Sequence, residues 1–370
     1  MVVGVLKEQS GESRVAITPE LIRKNPSFAS FLIEAGAGEL AGYSDDDFSD
    51  SGASTEKKRK HVIENANIIF SIRLPDDTTI RAIKPSTVLV GQFNPLKNIE
   101  HLKSLARVGV STFSLDLLPR TTRAQPMDVL SSQGNLAGYQ AAVYAISSLG
   151  RAFPMMMTAA GSVPPARVLV IGAGVAGLQA IATARRMGAI VSAFDVRAAA
   201  KESVESLGAT FVDVQHNEAG DGAGGYAKEM SVDYRRAQEA KLLEVISRQD
   251  VVITTAQIPN KPAPKIITAE MVSKMKRGAL IVDLAGESGG NCELTKFGEC
   301  VSYDDKRVVA PANILNDIAY TASLLFASNL ISFAKTLLRF ENGMFSFDIE
   351  DQLVQNTLVT HAGTVHRVSD

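Results

Sequence analysis

Val168-Leu-Val-Ile-Gly172-Ala-Gly174-Val-Ala-Gly177 is the stretch on which the reading of this chain turns. Four apolar residues read as a buried strand, the glycines follow at G-x-G-x-x-G spacing, and Leu178 to Met187 continues as a helix. Gly172 permits the tight turn, Gly174 lets backbone come against a pyrophosphate, and Gly177 allows the helix to lie close on the strand. Val175 and Ala176, between the second and third glycines, belong to the same expected contact set, and the N-terminus of the helix that follows faces the phosphates. A dinucleotide site is expected here.

Asp195 comes directly after the next strand, Ile190 to Phe194, where a carboxylate accepts hydrogen bonds from the adenosine ribose hydroxyls and favours NAD over NADP. Val196 and Arg197 belong to the same expected contact set; Arg197 is the kind of cation a 2′-phosphate would use, but Asp195 decides for NAD(H). Further strands are read at Thr210–Val212, Val251–Thr254, Leu280–Asp283 and Val308-Val309, alternating with helical patterns. That alternation implies a parallel, doubly wound sheet with right-handed crossovers.

The first third of the chain is also α/β, but without a phosphate loop: Val2 to Val5, a helix opened by Thr18 and Pro19, then strands at Ile68–Phe70, Thr87–Val90 and Val108–Val110. A long helix is expected from about Asp128 to Phe153, ended by a Met-rich run and Gly161-Ser-Val-Pro-Pro165. The fold class is therefore α/β with two Rossmann-like domains. The expected division is 1–127 plus 320–370 for the first and 128–319 for the NAD(H)-binding second, with the apolar helix Ile318 to Leu338 packing back on the first domain.

With 38 Lys+Arg against 40 Asp+Glu and a net charge of −2, no basic footprint for nucleic acid or anionic lipid stands out. Cys292 and Cys300 fit neither a zinc ribbon nor a CxxC pair, so no metal site and a reducing compartment are expected. The opening residues read as a strand rather than a signal peptide. The near-membrane-length stretches at Leu136–Gly150 and Ile318–Ala334 carry polar residues; Leu324, Ala327, Ile331 and Ala334 share one face, which suits a buried helix and not a membrane span.

A dehydrogenase acting on an alcohol or amine needs a proton acceptor beside the reacting carbon. None of His61, His101, His216, His361 and His366 follows a strand beside the glycine turn. Hydride exchange between two nicotinamides needs no such acceptor, and positioning then carries the catalysis.

The segment Pro119-Arg-Thr-Thr-Arg-Ala-Gln125-Pro-Met-Asp128-Val-Leu-Ser131-Ser-Gln-Gly-Asn-Leu-Ala-Gly-Tyr139 resembles the NAD(H)-binding subunit of proton-translocating transhydrogenases. The likeness continues at Phe153–Gly161, Val163–Arg167, Gly225-Tyr226-Ala-Lys-Glu-Met, Ile258–Pro264 and Gly289-Gly-Asn-Cys292. The resemblance implies that Arg120, with Thr121 and Thr122, lies near the cofactor phosphates and Asp128. It further implies that Gln125 reaches the nicotinamide and ribose region and that Ser131 binds the carboxamide. The same residues also suit a polar loop that caps the long helix at Asp128. Gly225 and Tyr226 would form a lid over the nucleotide, with Gln238 a contact on the following helix. Gln257 stands where the family usually has leucine near the adenine, and Asn260 where it has glycine.

The resemblance also implies a homodimer, NADP(H) held on a partner subunit, and a membrane-spanning partner that moves protons, with this chain peripheral on the cytoplasmic side. Two other readings stay open at this level. Alanine dehydrogenase shares Lys7-Glu8 and Arg14-Val-Ala-Ile-Thr-Pro19, but where it carries catalytic lysine and histidine this chain has Ile72-Arg73-Leu-Pro75 and Gly91-Gln-Phe-Asn94. A non-catalytic NAD-responsive binding subunit is the other, and Gln125 and Ser131 argue against it.

Overall fold

The computed structural model describes residues 1–214, 231–258 and 261–366. The chain divides into two compact units, Met1–Gln133 with Leu315–Asp370, and Gly134–Ile314. The divisions fall at 133/134 and 314/315, whereas the sequence alone places them at 127/128 and 319/320. The first lies inside the helix Val129–Ser148, because the start of that helix is held by unit 1. Gln133 accepts from Arg14 Nη1 at 2.8 Å and donates to Ala322 O at 3.2 Å, while Ser132 Oγ donates to Asn329 Oδ1 at 2.6 Å.

Unit 1 is built on β1 (Val2–Val5), β2 (Ser30–Glu34), β3 (Ser54–Glu56), β4 (Ile68–Phe70), β5 (Val88–Gly91) and β6 (Ser111–Ser114), in sheet order β3-β2-β1-β4-β5-β6 and all parallel. Leu358–His361 adds an antiparallel edge beside β6, followed by Thr364–Val365. The central strands are short apolar runs buried on both faces, as parallel strands covered by helices must be. The expected strand at Val108–Val110 is not one: the helix Ile99–Val108 ends on Gly109, whose φ of 87° closes the C-cap, and the strand begins only at Ser111.

The helical stretch Ile314–Leu337, which contains the helix Ala319–Leu337, is long and apolar enough to cross a membrane by length and composition alone. Eleven residues of Ala319–Leu337 are buried, and Phe326, Leu330 and Phe333 lie in one core with Val3, Ile33, Phe70 and Phe113 of the unit-1 sheet.

Unit 2 contains a hairpin, β7 (Met156–Thr158) and β8 (Gly161–Val163), where only a helix terminator is expected from the sequence. Then come β9 (Arg167–Ile171), β10 (Ile190–Phe194), β11 (Thr210–Phe211), β12 (Val251–Thr254), β13 (Leu280–Asp283), β14 (Cys300–Tyr303) and β15 (Lys306–Val309). The order is β11-β10-β9-β12-β13-β15-β14, parallel except for the β14–β15 pair. Strand order reverses between β9 and β12, the place where doubly wound sheets bind their ligands.

The long helix lies close on the helix Val175–Arg186 that follows the glycine turn. A Cβ on Gly138 would fall 1.9 Å from Ala176 O, so only glycine fits. Asn135 Nδ2 donates to Gln179 Oε1 at 3.2 Å along the same contact.

Candidate functional site

The three glycines after β9 stand in three different settings. Gly172 has a φ of 93°, a conformation that L side chains rarely adopt, and Gly177 has no room, since a Cβ there would sit 1.8 Å from Gly172 O. Gly174 is different: its backbone, at φ −81° and ψ −166°, suits any residue, and a Cβ would meet no atom of the described residues within 4 Å. Among the described residues nothing demands glycine at 174. The space left against that backbone fits the pyrophosphate of a dinucleotide. Gly174 is the N-cap of the twelve-residue helix Val175–Arg186, with Val175 exposed and Ala176 half-buried in its first turn.

Asp195 stands at the C-terminal end of β10 and is buried. Its Oδ2 accepts from the Ala173 N–H at 2.7 Å, fastening the glycine turn to the neighbouring strand. Arg197 grips the same carboxylate, Nη2 to Oδ2 at 2.7 Å and Nε to Oδ1 at 2.9 Å, while its own N–H donates to Oδ1 at 2.9 Å. Val196 turns its side chain toward the unit-2 core, so only its backbone belongs to the rim.

The remaining predicted contacts of unit 2 are less gathered. Gln257 is exposed after β12, its Nε2 3.4 Å from Leu284 O. Gln238 is half-buried on the helix Val232–Ile246. Gly225, Tyr226 and Asn260 lie outside the described residues.

In unit 1, residues Thr122–Met127 form a 3₁₀ helix. Side chains three apart eclipse in such a helix. Ala124 and Met127 accordingly share a buried side in the core, and Thr122 and Gln125 share the exposed one. Two bonds hold this turn: Asn329 Nδ2 to Pro126 O at 2.9 Å, and Arg123 Nη2 to Asp351 Oδ2 at 2.6 Å. Arg120 and Thr121 are exposed just before it.

Asp128 and Ser131 are brought together. The Asp128 carboxylate caps the long helix, Oδ1 accepting from the Ser131 N–H at 2.9 Å, and Oδ2 accepts from Ser131 Oγ at 2.5 Å. The hydroxyl proton is thereby committed to Asp128, and the Ser131 oxygen is left to act as an acceptor.

Unit 1 also holds a buried charge cluster that carries no local sequence signature. Arg14 donates from Nε and Nη2 to both oxygens of Glu12, at 2.7 and 2.6 Å, with both residues almost fully buried. Desolvation alone would raise the Glu12 carboxyl, but the bonds and charge of Arg14 outweigh it and hold it below its ordinary value. Arg73 Nε lies 3.4 Å from Glu12 Oε2, and Asn94 occupies the turn after β5 at φ 45°. Neither is a proton acceptor of the kind an amino-acid dehydrogenase needs. Among the described residues no cluster of metal-binding side chains occurs.

Comparison with known proteins gives the same assignment from a separate direction. Residues 4–137 match the family described as alanine dehydrogenase/PNT, N-terminal domain, and residues 141–367 match its C-terminal domain. An NAD(P) transhydrogenase subunit alpha polypeptide of Rhodospirillum rubrum is 43% identical, covering 99% of this chain and 97% of that protein. A transhydrogenase structure from Sinorhizobium meliloti superposes with a TM-score of 0.90 at 43% identity, over 99% of this chain and 100% of that one. Alanine dehydrogenase of Mycolicibacterium smegmatis is more distant, at 28% identity over 78% of this chain and 74% of its own length.

Fold and cradle together define a dinucleotide-binding oxidoreductase component. The chain belongs to the alanine dehydrogenase/PNT family, on its NAD(P) transhydrogenase side, and is an NAD(H)-binding subunit.

Proposed function

We propose that this chain holds NADH so that its nicotinamide passes a hydride directly to NADP bound on a partner polypeptide, in an assembly whose membrane-spanning part couples the transfer to proton movement. The bound nucleotide supplies the chemistry: the C4–H bond of the dihydronicotinamide breaks with both electrons, the new C–H bond forms at C4 of the acceptor, and no proton enters or leaves either ring.

The protein's work is then orientation. Gly172, Gly174 and the first turn of the helix Val175–Arg186 hold the pyrophosphate, and Asp195 selects the unphosphorylated ribose. Arg120, Thr121 and Thr122 act toward the phosphates, and Gln125 and Ser131 toward the nicotinamide end. Ser131, having given its proton to Asp128, accepts from the carboxamide NH2.

One observation favours this over an amino-acid dehydrogenase: the stretches Ile72–Pro75 and Gly91–Asn94, which resemble the parts of that enzyme bearing its catalytic lysine and histidine, contain neither residue, and Arg73 is paired with Glu12. The same reading makes the chain a homodimer attached to the cytoplasmic face of a membrane only through its partners. The test is a steady-state assay of the isolated chain with NADH, pyruvate and ammonia. No turnover is expected, and alanine formation would replace this reading with the dehydrogenase one.

A further inference from the structure

The crevice at the sheet's reversal has two sides, the glycine turn after β9 and the loop after β12. The second side is not held by its own strand. Thr255 bonds the first side, its N–H donating to Ile171 O at 2.8 Å and its Oγ1 to Gly172 O at 2.9 Å. The next residue, Ala256, is held by a side chain from a different loop. Its N–H donates to Asn291 Oδ1 at 3.0 Å and its carbonyl accepts from Asn291 Nδ2 at 2.8 Å.

Asn291 is fully buried and every polar atom of its side chain is spent, the second Nδ2 proton going to Pro264 O at 2.9 Å. Its own backbone is fixed in turn. The N–H donates to Asp283 Oδ2 at 2.7 Å, and the carbonyl accepts from Ile266 and Ile267. The carboxamide offers one donor and one acceptor side by side, so it pairs with Ala256 as a neighbouring strand would. The spacing matters to the turn opposite, where a Cβ added to Gly172 would come within 3.0 Å of Ala256 N.

We propose that Asn291 is a positioning residue for the dinucleotide, setting how close the loop after β12 stands to the glycine turn and acting through Ala256 and Thr255. The proposal rests on the NAD(H) reading of the cradle. Asn291 itself has no surface to offer a ligand. Among the amides and acids, aspartate keeps the acceptor for Ala256 N–H but loses both donors, and alanine loses all of the fork.

The experiment compares wild type, Asn291→Ala, Asn291→Asp and Thr255→Val, with the Asn291→Ala/Thr255→Val double variant. NADH affinity is measured by equilibrium fluorescence titration and folding by circular dichroism. Asn291→Ala is expected to weaken NADH by about tenfold, the scale of one or two lost hydrogen bonds. The double variant is expected to lose less than the product of the two single effects, because both act on one loop. Amide exchange at Ala256 should quicken in Asn291→Ala and Asn291→Asp while the amides of β9 keep wild-type protection, a readout independent of nucleotide. A role in stability alone would lower the thermal midpoint and leave NADH affinity at wild type. That result in a folded variant, or strictly multiplicative losses, overturns the proposal. Failure of the wild type to bind NADH would instead remove the cofactor reading beneath it. Should Asn291→Ala not fold, Asn291→Asp carries the same comparison.

Discussion

The Arg197 guanidinium lies along the Asp195 carboxylate, Nη2 2.7 Å from Oδ2 and Nε 2.9 Å from Oδ1, at the strand end proposed to meet the ribose. The cation nearest to a 2′-phosphate is thus occupied by the acid that would repel that phosphate. Wild type should prefer NADH over NADPH by roughly 1–3 kcal/mol, from ribose hydrogen bonds present with one nucleotide and absent with the other. In Asp195→Ser the carboxylate that would repel a 2′-phosphate is gone, and the preference should shrink or reverse in equilibrium titrations of both nucleotides. An Asp195→Ser variant with unchanged selectivity would remove Asp195 from ribose recognition.

Gly174 and Gly177 should respond differently to the same substitution. Gly177→Ala forces a Cβ against Gly172 O and should cost about 1–3 kcal/mol of stability or more. Gly174→Ala meets open space and a permitted backbone, so its thermal midpoint should match wild type. Its NADH affinity should nonetheless fall about tenfold or more, about 1.4 kcal/mol. Equal NADH affinity in Gly174→Ala would mean that no ligand approaches there.

Asp128→Asn keeps a good helix cap, because asparagine serves as well as aspartate at that position. It weakens the hold on Ser131 Oγ. Hydride transfer should drop by about 10- to 100-fold, the scale of a small misplacement of reacting groups, with NADH affinity much less affected. Gln125→Asn should behave the same way. Parallel losses in affinity and rate would show that these residues merely bind.

Glu8 and Glu12 of unit 1 contribute to the pH response of stability with opposite signs. Burial pushes the Glu8 carboxyl up from 4.5 to about 7, against the lowering effect of the Ile72 and Arg73 N–H groups. A folded value above the unfolded one contributes stability that is complete below about 4.5 and is lost as pH rises through about 7. Glu12 has the opposite sign: its folded value is lowered, so its contribution is present above the ordinary carboxylate range and lost as pH falls through the lowered value. Thermal midpoints should therefore decline between pH 4.5 and 7 in wild type, and less so in Glu8→Gln. Arg14→Met should destabilise by about 3–5 kcal/mol at neutral pH by taking the two-pronged arginine partner from the buried Glu12 carboxylate. A wild-type midpoint flat across that interval would contradict the Glu8 assignment.

Much of unit 2 is legible in the sequence because buried parallel strands read as uninterrupted apolar runs, and because glycine spacing is local to one turn. The strand at Ser111–Ser114 escapes such a reading since Val108-Gly109-Val110 looks extended, whereas Gly109 is a helix cap and the true strand is polar in composition. Asp195 can be found from its place after β10, but its clasp by Arg197 cannot, because two residues in sequence say nothing of where a long side chain turns. Thr255 and Asn291 leave no local pattern at all. Their partners are backbone groups elsewhere in the chain, up to 84 residues away for Thr255 and 35 for Asn291.

The most direct test of the central claim mixes the isolated chain with the NADP-binding domain of a transhydrogenase, in solution and without membrane, and follows reduction of NADP by NADH. Transfer needs only the two rings brought to about 3–3.5 Å, so the mixture should catalyse it while neither component does so alone. The rate of this direct transfer should depend on both proteins and fall in Asp128→Asn. Turnover of NADH with pyruvate and ammonia by the isolated chain, or no transfer with any NADP-binding partner while NADH is bound, would contradict it.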